Sequence, residues 1–397
     1  MDHDAISIQQ LDSLAEVDAS EWDRLAGGNV IASYGWLRTL EETSTSAVST
    51  RYFLARNRSG LVGAAPCKIE EEARTSRLNP MLFGRFANAA QRLRLGLLPS
   101  LVCGGEARTG EPVLLRAGAT AAERTQVAEA LVAAMEDTPR EKGWTICFRY
   151  VKRASSPIVE VLTNRGYLRG SDLPTALLEL DPSWRSLADF RRHLKKAHPR
   201  AAKSIPRELN LARRGGLVIE QLEEPASYRE RLHRLMDAHS VRLNRQPFPF
   251  GADFFDQLKA RLGDKVVIYV ARIGEEWAGV LVSLRAADDV LLPMIGVNHD
   301  TGRAAAAYFN LTYNRPIEDA IAAGHRRVYF GTAAYETKAR RGCGCMETDF
   351  YLRAWSGVQE LLLRVLLPFR SRRNDSISAP LRMGDRDRDN DAISREE

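Results

Sequence analysis

Apolar positions recur along this chain in two periods, helical and alternating, and the order in which those periods appear outlines the architecture. Residues 20 to 43 carry helical spacing, with Trp36, Leu37 and Leu40 on the apolar face and a polar turn at Gly27-Gly28. Two strands follow, Arg51 to Arg56 and Leu61 to Ile69, joined by the turn residues Asn57-Arg58-Ser59-Gly60. The stretch from Arg74 to Glu111 is rich in Gly, Pro and Asn and has few clear periods, and its length predicts a functional loop or lid. A helix over Ala121 to Met135, a strand over Trp144 to Val151, a helix near Ile158 to Arg165 and a strand over Thr175 to Leu180 complete the first half.

The turn Asp181-Pro182-Ser183 marks a boundary, and the same order of parts then returns. A basic helical region leads to a strand at Leu217 to Gln221, helices around 228 to 242 and 252 to 262, and three strands between Lys265 and Val297. The pattern predicts an α/β (α+β) fold of two tandem units, residues 1–181 and 182–369, each a sheet flanked by helices. Residues 370–397 are polar, lack apolar periodicity and are expected to form a disordered tail.

The segment Thr301 to Arg353 holds the densest candidate chemistry. Ala304, Tyr308, Leu311, Ala320 and Ile321 predict a helix, kinked or split by Pro316 and stopped by Gly324. A buried strand, Val328-Tyr329-Phe330, ends at Gly331 and delivers Tyr335, Lys338, Arg340 and Arg341 to the end of a sheet, a common place to build a site. Upstream, Pro293 falls inside a predicted strand, and a residue without an N–H there marks either an edge strand or a place where two strands part.

Composition narrows the class. A hydrophobic content of 44% and a charged content of 27% are ordinary for a soluble globular protein. No apolar run approaches the roughly 20 residues that span a bilayer, and MDHDAISIQQ lacks the regions of a signal peptide, so a cytoplasmic chain without a transmembrane segment is expected. The cysteines are scattered and odd in number, against a disulfide framework, and Cys343 and Cys345 have no partners at zinc-ligand spacing, so no metal is expected.

The net charge of +6 is local: ten Lys and Arg stand between Arg185 and Arg214 against Asp189 and Glu208 alone. Leu187, Phe190, Leu194, Ala197 and Ala201 set a helical face there, which Pro199 and Pro206 divide into short pieces. Arg191, Arg192, Lys195, Lys196, Arg200 and Lys203 then form either a surface for the phosphates of tRNA or of a nucleotide-linked acceptor, or a solvated basic face.

The stretch YFNLTYNRPIEDAIAAGHRRVYFGTAAYETKARRGC resembles the closing half of the GNAT-like domain of N-acyltransferases related to the Fem-type peptidoglycan-bridge transferases. The likeness extends through MDAHSVRLNRQPFPFGADFFDQL and KVVIYVARIGEEWAGVLVSL and, more weakly, ASYGWLRTLEE, and so spans most of residues 30 to 355. It implies two tandem GNAT-like domains and an acyltransferase that forms an amide, or an ester, by direct attack of an acceptor on an activated acyl group. No metal, tightly bound cofactor or covalent intermediate is implied. The donor would be aminoacyl-tRNA or acyl-CoA and the acceptor a small molecule or peptide; DNA is not among the implied partners.

The resemblance also assigns roles. Lys338, in YETKARRG, stands where Fem-type relatives place a lysine that stabilises the oxyanion, with Tyr335 beside it. His239, near Asp237 and Arg242, is the candidate general base, because histidine titrates near neutrality. Tyr308, Asn310, Arg242 and Arg341 are the candidate substrate-binding residues. In GNAT folds parted central strands admit the donor's amide arm, and a glycine-rich loop cradles pyrophosphate. Here His299 to Arg303 contains only Gly302, Ala304 to Ala307 follow, and the QxxGxG/A pattern is missing, which tilts the donor toward aminoacyl-tRNA. An acyl-CoA-dependent N-acetyltransferase and a non-catalytic GNAT-fold binding module are the competing readings.

Overall fold

The computed structural model describes residues 5–46, 49–71, 76, 78–104, 111–153, 157–302 and 306–393, with side chains to Arg382 in the last helix. The chain forms two compact units: unit 1 is Met1–Glu41, Ser46–Pro174 and Met346–Ser378, and unit 2 is Glu42–Thr45, Thr175–Cys345 and Ala379–Glu397. The order of elements begins with strands β1 (Ser7–Leu11), β2 (Ser49–Asn57), β3 (Gly60–Glu70), β4 (Ser100–Cys103), β5 (Leu114–Leu115), β6 (Thr145–Lys152) and β7 (Leu168–Ser171). Interleaved with them are helices α1 (Ala19–Ala26), α2 (Tyr34–Thr43), α3 (Leu78–Phe83), α4 (Ala87–Arg92), α5 (Ala121–Lys142) and α6 (Pro157–Asn164).

The sheet of unit 1 runs β1-β2-β3-β4-β6-β15-β7, with β5 on β3 and β15 formed by Thr348–Ala354. Alternate residues of its strands face two helical layers. Phe53, Leu101, Ile146 and Phe148 pack with Leu131 and Met135 of α5 and Val161 and Leu162 of α6. Val102, Cys147, Phe350 and Leu352 pack with Leu78 and Met81 of α3 and with Leu363 and Leu367 of α15 (Gly357–Ile393). Helix α5 starts where it does because Thr120 and Glu123 form a capping box, and it stops at Gly143, whose φ of +68° suits glycine.

Unit 2 contains β8 (Thr175–Glu179), α7 (Leu187–Ala197), α8 (Pro199–Arg214), β9 (Leu217–Gln221), α9 (Arg229–Asn244), α10 (Phe254–Leu262), β10 (Val266–Ile273), β11 (Glu276–Arg285) and β12 (Asp289–Val297). It continues with α11 (His299–Gly302), α12 (Ala307–Phe309), α13 (Arg315–Ala322), β13 (Arg327–Gly331), α14 (Tyr335–Arg340) and β14 (Gly344–Met346). Its sheet runs β14-β8-β13-β12-β11-β10-β9.

Four expectations change. The division expected at residue 181 falls at Pro174/Thr175, because β8 pairs with β13 in unit 2 while β15, beyond that division, pairs with β6 and β7 in unit 1. Without β8, the apolar strand β13 would be an open sheet edge. The stretch 74–111 is not one long loop where it is described: it holds α3, α4 and β4. Side-chain bonds stand in for periodicity there, with Asn79 Nδ2 donating to Gln91 Oε1 at 2.6 Å and Leu97 N–H to Asn79 Oδ1 at 2.7 Å. The tail expected to be disordered is helical to Ile393 as part of α15. Finally, Pro199 opens α8 as its first residue, but Pro206 lies inside that helix without ending it.

Among the described residues no helix is long and apolar enough to cross a membrane, and no group of three or more His, Cys, Asp or Glu is placed to hold a metal. All five cysteines are thiols.

Candidate active site

Strand β12 is an interior strand, so Pro293 is not an edge proline. Its parallel pairing with β13 covers only Asp289↔Arg327, Val290↔Val328 and Leu291↔Tyr329, after which the two strands part. Pro293, exposed, lies just past that point, where its missing N–H cannot extend a ladder. On the other side, the register of β12 with β11 shifts between Val282 and Leu284, a bulge opposite the proline.

Lys338 meets the far end of β13. Gly331 turns the chain at φ +75°, Ala334 precedes α14 at φ +53°, and α14 then buries Tyr335, Lys338 and Ala339, the i, i+3, i+4 face of one turn. Lys338 is therefore not a surface lysine on a basic helix: it is 4% exposed. Its Nζ donates to the carbonyl oxygens of Phe330 at 2.7 Å and Gly331 at 3.1 Å, beyond the last β12–β13 pair. Carbonyl dipoles let an ammonium stay charged in a buried setting, since a buried charge without such partners would be far more costly.

An aromatic wall backs this point. Tyr313 stacks on Phe330 at 5.1 Å, Tyr308 meets Tyr313 edge-on at 6.1 Å, and the Arg341 guanidinium lies over the Tyr313 ring at 4.5 Å. Burial, and then the neighbouring Tyr308, hold the Tyr313 hydroxyl well above its ordinary pKa, so it remains a neutral phenol. Tyr313 belongs to a π-helical turn, Asn310–Asn314, that joins α12 to α13. The expected kink at Pro316 takes this form: the ring of a helical proline crowds the carbonyl four residues back, here Thr312, and the widened turn relieves it.

Behind the wall lies a buried polar network. Arg341 donates to Glu208 Oε1 at 2.6 Å and to Asn314 Oδ1 at 3.2 Å. The Asn314 amide reaches Glu208 Oε2 at 3.1 Å and Asn310 Oδ1 at 3.0 Å, and the Asn310 amide donates to the Glu208 carbonyl at 3.0 Å. Asn310 and Arg341, expected to bind substrate, are thus committed to holding α8, the π turn and the end of α14 together. Sequence reasoning missed Glu208, Asn314 and Tyr313. Glu208 had a readable signal, because an acid three residues after Ile205 and six after Ala202 falls on the apolar face of an otherwise basic helix.

His239 and Arg242, on α9, are placed differently. Arg242 is exposed. The Val297 N–H donates to His239 Nδ1 at 3.2 Å, so the neutral ring carries its proton on Nε2, and the ring stacks on His299 at 6.0 Å. Burial is the main cause that lowers the His239 pKa; the Val297 backbone works against it, and the neighbouring His299 and Arg242 add to the lowering. The ring is thus held neutral but with its accepting nitrogen already engaged, an arrangement that makes it a donor through Nε2 before it can act as a base. Arg191, Arg192, Lys195, Lys196, Arg200 and Lys203 are all exposed on α7 and α8, opposite the buried Leu187, Phe190, Leu194, Ala202 and Ile205.

At the expected pyrophosphate loop, residues 303–305 lie outside the described residues. The start of α11 is capped from within the chain: Asn298 Oδ1 accepts the N–H of Asp300 at 3.1 Å and of Thr301 at 3.4 Å, and Thr301 Oγ1 donates to Glu276 at 2.9 Å.

A family profile described as FemAB-like, peptidoglycan biosynthesis/recognition, matches residues 13–362. The chain belongs to the FemAB-like family. No curated protein matches it in sequence. Among solved structures, FemX is similar to this FemAB-like chain at 10% identity, covering 90% of this chain and 99% of FemX with a TM-score of 0.52. A tandem GNAT protein from the clavulanic acid biosynthesis pathway is similar at 14% identity, covering 88% of this chain and 98% of that one with a TM-score of 0.49. The likeness to FemX is one of fold: the FemAB-like chain has two mixed sheets flanked by helices, in tandem.

Proposed function

We propose that the chain is an N-acyltransferase whose reaction takes place in unit 2 where β12 and β13 part, with aminoacyl-tRNA as donor. The observation that carries this reading is the ammonium of Lys338 held at the parted end of β13. An acceptor amine would attack the aminoacyl carbonyl, forming a C–N bond. The tetrahedral oxyanion would be stabilised by Lys338, and collapse would break the ester C–O bond, the amine's proton ending on the leaving tRNA hydroxyl. A fixed donor of this kind contributes about 3 kcal/mol to the transition state. Tyr335 and the Tyr308–Tyr313 wall would shape the acyl pocket.

The choice of donor rests on two supports. Amides at the start of α11 are engaged by Asn298, with Glu276 nearby, which disfavours a polyphosphate at that place. The exposed cations of α7 and α8 suit a polyanion. The test is a transfer assay with aminoacyl-tRNA and with acetyl-CoA against panels of peptide and amino-sugar acceptors. Transfer from aminoacyl-tRNA that is lost on RNase treatment and weakens steeply with salt is the expected result. Salt-insensitive transfer from acetyl-CoA alone would assign the donor to coenzyme A.

A further inference from the structure

The large apolar side chains that unit 1 leaves exposed lie in two segments. Among the described residues they are Phe86 and Leu93, around α4, and Val358, Leu361, Val365, Phe369 and Ile377 on α15. On α15, Leu363 and Leu367 bury one face against the sheet. Val358, Leu361, Val365 and Phe369 recur three, four and four residues apart on the other face and are 64, 65, 53 and 64% exposed. Helices α3 and α15 share a core cluster, and Gln359 Nε2 donates to the Gly96 carbonyl at 2.6 Å, which brings the end of the α4 segment beside the first turn of α15. Phe86 and Leu93, 60 and 70% exposed, belong to that neighbouring segment.

Arginine dominates the charge around this surface. Residues 78–97 and 357–378 together hold seven arginines against two acids, Glu360 and Asp375. Exposed Arg373 flanks the α15 stripe on one side and Arg364, paired with Glu360 at 2.7 Å, on the other, Arg372 continues it, and Arg85 lies over the Phe86 ring at 4.8 Å. Long arginine stems can lie along an apolar layer while their heads reach phosphates.

We propose that this face of unit 1 lies on an anionic lipid bilayer, with the α15 stripe, Phe86 and Leu93 entering the acyl boundary and the arginines meeting lipid phosphates. A second copy of the chain fits the face less well. Two such stripes apposed would bring arginine rims together, and the heptad-like run Val358, Leu361, Val365 continues into Pro368 and Arg372, neither of which suits a helix–helix seam. The proposal concerns unit 1 alone and does not depend on the acyl donor.

The full chain is tested by cosedimentation with vesicles of phosphatidylcholine, with and without phosphatidylglycerol. Binding only to the phosphatidylglycerol vesicles, weakening with salt, is expected. The double variant Leu361→Glu, Phe369→Glu changes exposed positions, so its thermal melt should match the parent, while its partitioning falls more than about 100-fold. Arg372→Gln and Arg373→Gln should each lower it about five-fold at low salt. No binding by the parent chain, or binding that the double variant retains, overturns the proposal. So does a concentration-dependent dimer that the double variant abolishes without any vesicle binding, which would give the face to a second copy.

Discussion

A parallel strand pair stands in each sheet, β4–β6 in unit 1 and β12–β13 in unit 2, and the ends of these pairs are finished in opposite ways. In unit 1 the pairing runs to Cys103↔Phe148, and the next residues close the end. Gly104 turns at φ +82° so tightly that a Cβ there would meet Pro112 Cβ at 2.6 Å and the Arg149 carbonyl at 2.7 Å. The Arg149 side chain is clasped by Asp172, with Nε–Oδ2 at 3.0 Å and Nη2–Oδ1 at 2.9 Å. In unit 2 a Cβ added at Gly331 would meet nothing within 4 Å, Pro293 is exposed, and the cation at the strand end, Lys338, sits on backbone carbonyls. Unit 2 keeps its buried ion pair, Glu208–Arg341, behind the aromatic wall rather than at the strand end. One topology thus yields a filled end and an open one, and the open one is where acyl transfer is proposed.

Substitutions can break this contrast. The largest effect is expected from Asp172→Ala in unit 1 and Glu208→Ala in unit 2, each of which strands a buried arginine and should cost about 3–5 kcal/mol in denaturant unfolding. If the Glu208→Ala cost were under about 1 kcal/mol, the network would not be what holds α8 to the site. Next, Gly104→Ala should cost more than Gly331→Ala. Both take alanine into the left-handed region, for about 1–2 kcal/mol. Only Gly104 adds a clash, for about 1–3 kcal/mol more. Equal costs would mean that the two strand ends are packed alike.

The smallest effect is on pH dependence. His239 and His325 in unit 2 both have folded-state pKa values held below the ordinary value, burial being the first cause of each. The unfolded chain therefore binds their protons more readily, and stability that is full above about pH 6.5 is lost as pH falls through the lowered values. His239→Gln should flatten the acid side of the stability profile, and an unchanged slope would show that its burial is not felt.

Local features of the site could be read from residue order, and non-local ones could not. The apolar run Val328-Tyr329-Phe330, the three strands between Lys265 and Val297 and the stop at Gly324 are each set by neighbours within a few residues, and all stand where expected. Pro293 signalled disruption, but choosing between an edge and a parting required knowing that β13 lies beside β12. The exchange of β8 and β15 was hidden for the same reason, since strand partners lie far apart in sequence. The helicity of residues 370–393 escaped notice because the face this segment buries carries Asn374 and Ser378 beside Leu381, a mostly polar set with no apolar period, on a helix anchored upstream by Leu363 and Leu367. Lys338 was found by resemblance, but its burial was not, because YETKARR reads as a polar helix unless the Tyr335, Lys338, Ala339 face is known to turn inward.

The account turns on Lys338 at the open strand end. The most direct test is single-turnover acyl transfer from aminoacyl-tRNA by the parent chain and by Lys338→Ala, each measured on protein shown to be folded by its thermal melt. The rate constant is predicted to fall about 100-fold or more while donor affinity stays nearly constant, as for loss of an interaction made only in the transition state. An unchanged rate constant in folded Lys338→Ala would contradict the account.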